Sequence, residues 1–195
     1  MPIENDHDLE AAVGQASDLL QQIQDYCSRK YNKKAKVRFP RGFLRTAGEQ
    51  RARLSFVDDS DLESNLAYCL ILSDTIYWVL TRTDISGTAE EMMIKMQIFI
   101  GGTLVESITK DYLKDVRNPK NTYKKRTQTL VKLGIIDDRL KEELDWIWDT
   151  RNNMHLFQLT EREYVNEYNA SSQIRAARAF REFVDTLRAR GRIQG

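Results

Sequence analysis

The stretch TAEEMMIKMQIFIGGTLVESITKDY, Thr88 to Tyr112, decides the fold class. Within it Ile94, Ile98, Gly101, Val105, Ile108 and Tyr112 recur at three- and four-residue intervals, the spacing of one face of an α-helix. Thr88 and Glu91 stand at capping-box spacing at its start. Gly101 and Gly102 each cost about 1 kcal/mol of helix stability against Ala, so their presence predicts the close approach of a second helix. Lys95 and Glu106 interrupt the run, which falls short of the ~18 apolar residues a membrane span needs.

The same periodicity extends outward in both directions. Leu9, Val13, Ala16, Leu20, Ile23 and Cys27 predict a first helix. Leu62, Leu66, Cys69, Ile76 and Leu80 predict another beginning at Ser60, with Ser60 and Glu63 at capping-box spacing. A shorter helix runs from Tyr123 to Leu133 and stops at Gly134. Asp137 or Asp138 caps the next, which carries Leu140, Leu144 and Ile147. Thr160 and Glu163 repeat the capping-box spacing. The final helix, Ser171 to Arg190, places Ile174, Ala177, Phe180, Val184 and Leu187 on one face and ends at Gly191. Between the first two helices Pro40 and Gly42 break the pattern, and Val37, Phe39, Leu54 and Phe56 make either a short hairpin or a pinned loop. The expected architecture is an all-α helical bundle with an irregular basic insertion near residues 32–58. The expected organisation is an N-terminal helix plus basic segment, 1–59, followed by the bundle, 60–195.

Composition narrows the class of protein. The chain has 195 residues, 41% hydrophobic and 30% charged, with a formal net charge of +1, which suits a packed domain rather than a disordered one. Cys27 and Cys69 are too few for a disulfide framework or a four-thiolate zinc site. Met1 to Asp8 lacks an apolar stretch, so no secretory signal is expected there, and a soluble cytoplasmic protein is the expectation. No glycine-rich phosphate loop, dinucleotide fingerprint or His-Glu-x-x-His occurs, and neither a metal nor another cofactor is expected.

The near-neutral total conceals an asymmetry. Arg29 to Arg53 holds ten Lys and Arg residues against one acid, Glu49. Such an excess suits contact with a phosphate backbone, with Lys33, Lys34, Lys36, Arg38, Arg41 and Arg45 as candidate RNA-binding residues. Tyr31, Phe39, Phe43 and Phe56 are interleaved and suit stacking on unpaired bases. The alternative is a solvated basic face.

Along the helix that begins near Asp137, the inward positions Leu140, Leu144 and Ile147 are followed by Arg151. A guanidinium thus stands where the pattern asks for an apolar side chain, and it requires an anionic partner or a cleft. His155 lies one turn further, with Asn152 between them. An Arg and a His on one helix face suit phosphodiester cleavage. The Arg stabilises charge on the phosphorane oxygens, and the His moves the proton of the attacking 2′-hydroxyl or of the leaving oxygen. Apart from His7, His155 is the only histidine, and one imidazole cannot be base and acid at the same instant. A homodimer with paired motif helices would bring two copies to one cleft. The competing reading pairs Arg151 with Asp149 or Glu106 and leaves His155 as a helix-end cation.

The run Glu142-Glu143-Leu144-Asp145-Trp146-Ile147-Trp148-Asp149-Thr150-Arg151-Asn152-Asn153-Met154-His155 resembles the signature helix of the HEPN superfamily (higher eukaryotes and prokaryotes nucleotide-binding). Its lead-in, Thr127 to Leu140, is also similar. The resemblance covers roughly Thr88 to Arg190. It implies a dimeric α-helical bundle and, in active members, a metal-independent endoribonuclease of the toxin–antitoxin or phage-defence kind. Arg151, Asn152 and His155 fall on the catalytic positions, with three residues between Arg and His, fewer than in the commoner form of the motif. Glu106 and Lys110 match the first part of an auxiliary motif of some branches, and equally an i,i+4 surface pair. RNA and an antitoxin or regulatory protein are the implied partners. The alternative function is a non-catalytic RNA-binding or protein-interaction module on the same fold.

Overall fold

A computed structural model describes residues 2–116, 122–152 and 168–193. Among these, helices account for all regular structure: α1 Asp6–Cys27, α2 Ala47–Arg53, α3 Ser60–Arg82, α4 Gly87–Tyr112, α5 Tyr123–Lys132, α6 Asp138–Asn152 and α7 Ala170–Arg190. The chain is an all-α helical bundle, and no strand occurs among the described residues, so the hairpin alternative for the basic segment falls.

The chain divides into two compact units, 1–41 and 42–195. The first contains α1 and a 3-10 turn over Lys33–Ala35. Asn5 caps α1 by accepting the Asp8 amide at 3.0 Å. Ser28 ends it in a left-handed conformation, φ 50°. α1 buries none of its residues, and Leu9, Val13 and Leu20 of its apolar stripe are exposed. Asn32 accepts the Lys34 amide at 2.9 Å and so starts the 3-10 turn.

The second unit begins ahead of the 59/60 division read from the sequence. Its first helix, α2, lies inside the basic stretch and is closed by a capping box. Thr46 Oγ1 accepts the Glu49 amide at 3.2 Å, and Glu49 accepts the Thr46 amide at 2.7 Å. Leu54, Phe56 and Val57 after it are buried in the core. α3 starts not at a Ser60–Glu63 box but at Asp59, whose carboxylate accepts the Asp61 and Leu62 amides. Likewise α4 starts after Ser86, ahead of Thr88, with no side-chain cap. Thr160 and Glu163 lie outside the described residues.

α4 is the central helix, packed against α3, α5, α6 and α7. Ile94, Ile98, Val105, Ile108 and Tyr112 of its predicted stripe are all buried, each aliphatic side chain stabilising the fold by about 1.5–3 kcal/mol. Ile100 and Leu104 are buried as well, because a central helix is covered on more than one face. α5 ends as expected at Gly134, φ 62°. The Gly134 amide donates to Val131 O and the Ile135 amide to Leu130 O, the paired bonds of a glycine-terminated helix. Asp137 accepts the Leu140 amide at 2.7 Å and caps α6.

α7 departs from its predicted face. Val184 and Leu187 are buried as expected and Phe180 packs partly buried against the core, but Ala176, Ala179 and Phe183 are buried in place of Ile174 and Ala177, and Ile174 is exposed. The two stripes are offset by two or three residues and nearly equal in apolar content. The observed face buries Phe183 fully, and it lets Arg175 reach Glu143 on α6 at 2.6 Å while its guanidinium covers the Trp146 ring.

Beyond α7 the chain turns back on the bundle. Gly191, φ 71°, accepts the Tyr112 hydroxyl at 2.7 Å. Arg192 then bonds Asp111 at 2.6 Å and Asp58 at 2.7 Å and donates to Asp111 O. No helix among the described residues is long and apolar enough to cross a membrane.

Candidate functional site

Arg151 and Asn152 are the last two described residues of α6. α6 positions Arg151 by burying Leu140, Leu144 and Ile147 against the core. It comes close to α4 at Gly102, where an added Cβ would lie 2.7 Å from Arg151 Cβ and 3.3 Å from Ile147 O. The glycine pair thus marks the close helix approach that its cost predicted, and Gly102 rather than Gly101 carries it.

From this seat the Arg151 guanidinium reaches Glu106 on α4, with Nη1 2.6 Å from Oε2. It also lies over the Phe99 ring at 6.0 Å from the centroid. The other oxygen of Glu106 stands 4.0 Å from Nη2 of Arg126 on α5. Arg126 donates to Thr109 Oγ1 at 3.4 Å and lies over the Tyr123 ring. Three helices therefore place two guanidiniums about one carboxylate. The Arg151 side chain retains 27% of its exposure and that of Arg126 14%.

Asn152 is half-buried. His155 lies outside the described residues, as do Asn153 and Met154. Of the two carboxylates considered for Arg151, Glu106 is the partner, and Asp149 is held instead by Lys124 at 2.8 Å. Glu106 does not form the expected surface pair with Lys110, which is exposed on the next turn of α4. Arg126 carries a sequence signal of its own, a basic residue beside the buried positions Tyr123, Thr127 and Leu130.

Beneath the cluster the α5–α6 seam is fixed by buried polar contacts. The Tyr123 hydroxyl donates to Leu144 O at 3.0 Å, and Thr127 donates to Asp145 at 2.8 Å. Tyr123 stacks on Trp148, centroids 5.1 Å apart. Burial first, then the Asp145 carboxylate, push the Tyr123 phenol far above its ordinary value, so it stays a neutral donor.

The basic segment separates into two kinds of residue. Lys33, Lys34, Lys36, Arg38 and Arg41 belong to the first unit and are exposed, with no ion-pair partner among the described residues. Lys36 lies over the Tyr31 ring. Arg45 belongs to the second unit and is paired with Asp74 at 3.1 Å. Among the described residues no group of His, Cys, Asp and Glu side chains is arranged to hold a metal ion. Compared with known protein families, curated proteins and solved structures, the chain finds no match.

Proposed function

We propose that the chain is a metal-independent endoribonuclease of HEPN type, acting as a homodimer. The observation that carries this reading is the pair of guanidiniums, Arg151 and Arg126, sharing the single carboxylate of Glu106. The arrangement holds the Arg151 guanidinium, part-exposed, in a fixed place four residues before His155 in the sequence. A fixed cation of this kind stabilises charge developing on a phosphorane without reorganising as the reaction proceeds. In this reading Arg151 binds the phosphorane oxygens, Asn152 orients the phosphate, and His155 transfers the proton. The symmetry mate supplies the second imidazole. Lys33, Lys34, Lys36, Arg38 and Arg41 hold the RNA backbone, while Arg45, engaged by Asp74, is left out of that grip. A toxin or phage-defence role in the cytoplasm, with an antitoxin or regulatory protein as partner, fits such an activity.

The test is cleavage of a labelled RNA by the purified chain in excess chelator. The unmodified protein should cut, and Arg151→Ala and His155→Ala should each lose about 10²–10³-fold in rate. Equal cleavage by all three proteins overturns the assignment.

One observation favours a second reading, a non-catalytic RNA-binding module. The 2.6 Å contact from Arg151 to Glu106, formed directly above Gly102, also makes Arg151 a strut between α4 and α6. Tight RNA binding without cleavage, unchanged by Arg151→Ala, selects the module.

A further inference from the structure

α1 carries an apolar stripe that is left open. Leu9, Val13, Ala16, Leu20, Ile23 and Cys27 alternate four-residue and three-residue steps without a break, the seven-residue repeat of a coiled coil. Such spacing makes a narrow seam, where a helix lying on a globular core shows a broader stripe. No residue of α1 is buried. Leu9, Val13 and Leu20 keep 45%, 55% and 52% of their exposure, and Leu19 beside them keeps 59%. A helix in a protein owes most of its stability to packing of its apolar face, so this seam calls for a partner.

The seam is complementary to itself when reversed. A second α1 running the opposite way, centred on position 18, sets Leu9 against Cys27, Val13 against Ile23 and Ala16 against Leu20. Each smaller side chain then meets a larger one. A parallel partner instead sets Ala16 on Ala16 and leaves a gap at mid-helix, which costs stability. The flanking positions agree with the reversed pair. Leu19 falls beside Leu19, Tyr26 beside Ala12 and Ser17 beside Ser17. Glu10, the one charged residue flanking the seam, faces Gln24, so no like charges meet there.

Charge selects the same direction. α1 holds five acids and no Lys or Arg, while residues 28–41 hold seven Lys and Arg and no acid. A parallel pair would lay the two cationic segments side by side. A reversed pair brings Arg29 and Lys30 of each copy past Asp6 and Asp8 of the other, and such complementarity fixes orientation and register. Lys33 to Arg41 lie beyond the paired helices and keep the role proposed for them on RNA.

We propose that α1 is a self-association surface on which a second copy of the chain seats its own α1 in the reverse direction, as a two-helix coiled coil. α1 lies outside Thr88 to Arg190, where the HEPN resemblance holds, and the contact stands without the pairing of motif helices that the nuclease reading invokes. Disulfide trapping in the full chain, in a Cys69→Ser background, tests it. Positions 9 and 27 of one copy are about 27 Å apart along the helix, beyond the ~7 Å Cα separation a disulfide can bridge, so a bond between them joins two copies. With mild oxidant, Leu9→Cys/Cys69→Ser should form a covalent dimer on a non-reducing gel, and adding Leu20→Asp should abolish it. Asp18→Cys/Cys69→Ser, with its cysteine on the outer face of α1, should stay monomeric on the gel. These positions lie outside the 42–195 unit, and its thermal melt serves as the folding control. Absence of the covalent dimer overturns the proposal, as does equal cross-linking by the Asp18→Cys chain or a dimer that survives Leu20→Asp. A covalent dimer of the Cys69→Ser chain alone, through Cys27 of both copies, makes the pair parallel and overturns the reversed seam.

Discussion

A Cβ on Gly102 would lie 2.7 Å from the Cβ of Arg151, whereas one on its neighbour Gly101 would meet nothing closer than Ile147 Cγ2 at 3.8 Å. Two consecutive glycines on one helix therefore have opposite expected responses to the same change. Gly101→Ala gains helix propensity with its methyl at ordinary van der Waals distance from Ile147 and should stabilise the fold by about 0.5–1 kcal/mol. Gly102→Ala forces α6 away from α4 and should destabilise it by about 1–3 kcal/mol. Urea unfolding of the two variants checks the contrast, and equal shifts would mean that the helices do not approach as described.

Glu106→Gln keeps the size of the side chain and removes the charge that holds Arg151. As a strut alone the pair is part-exposed, and its loss should cost about 1 kcal/mol or less. In the nuclease reading the same change also frees the guanidinium from its fixed position, so RNA cleavage should fall by more than the stability change accounts for. Parallel measurement of cleavage rate and unfolding midpoint separates these effects.

The quadruple change of Lys33, Lys34, Lys36 and Arg38 to Ala should weaken RNA binding and flatten its dependence on salt, each lost phosphate contact reducing the slope by nearly one. These residues lie outside the 42–195 unit, so the melting temperature should not change. Affinities measured at several salt concentrations test this, and an unaltered slope identifies the segment as a solvated face.

Arg192→Met should destabilise the second unit by about 3 kcal/mol, because it leaves the buried Asp111 carboxylate without its main counter-charge. Lys114 at 3.2 Å offers only partial compensation. Adding Asp111→Asn to Arg192→Met should restore part of the loss, and thermal melts of both variants report it.

Alkaline pH should act through Tyr123. Its folded-state pKa is raised above the ordinary 10.0, chiefly by burial and then by Asp145. The unfolded phenol releases its proton first, so stability is intact below about pH 10 and falls above it by up to about 1.4 kcal/mol per pH unit. Tyr123→Phe should lose the hydrogen bond to Leu144 O, about 1 kcal/mol, and with it most of that alkaline slope. Tyr112, whose phenol burial also pushes up, retains a share. Unfolding midpoints at pH 8 and pH 11 distinguish the two proteins.

The features legible in the sequence were those with local causes. The α5 terminus at Gly134 and the cap at Asp137 follow from turn chemistry within a few residues. The closeness signalled by Gly101–Gly102 follows from the cost of glycine in a helix. The face of α7 was not legible, because its two apolar stripes, Ile174–Ala177–Phe180 and Ala176–Ala179–Phe183, are nearly equal in apolar content and both lead into Val184 and Leu187. α2 has a capping box at Thr46 and Glu49, but it is too short to display periodicity, and its charge draws attention elsewhere. At the candidate site the need of Arg151 for an anion was evident from the helix pattern. Which anion satisfies it was not, since Glu106 is brought there only by the packing of α4 on α6.

The fastening of Arg192 to Asp58 and Asp111 has a consequence for vectorial synthesis. A chain emerging amino end first exposes α2 through α7 while Asp111 has only Lys114, and not yet Arg192, as a counter-ion. On that account the fastening of positions 58 and 192 is the last contact to form, and stalled chains carrying a tunnel-length linker after residue 191 or after residue 193 should differ in protease resistance.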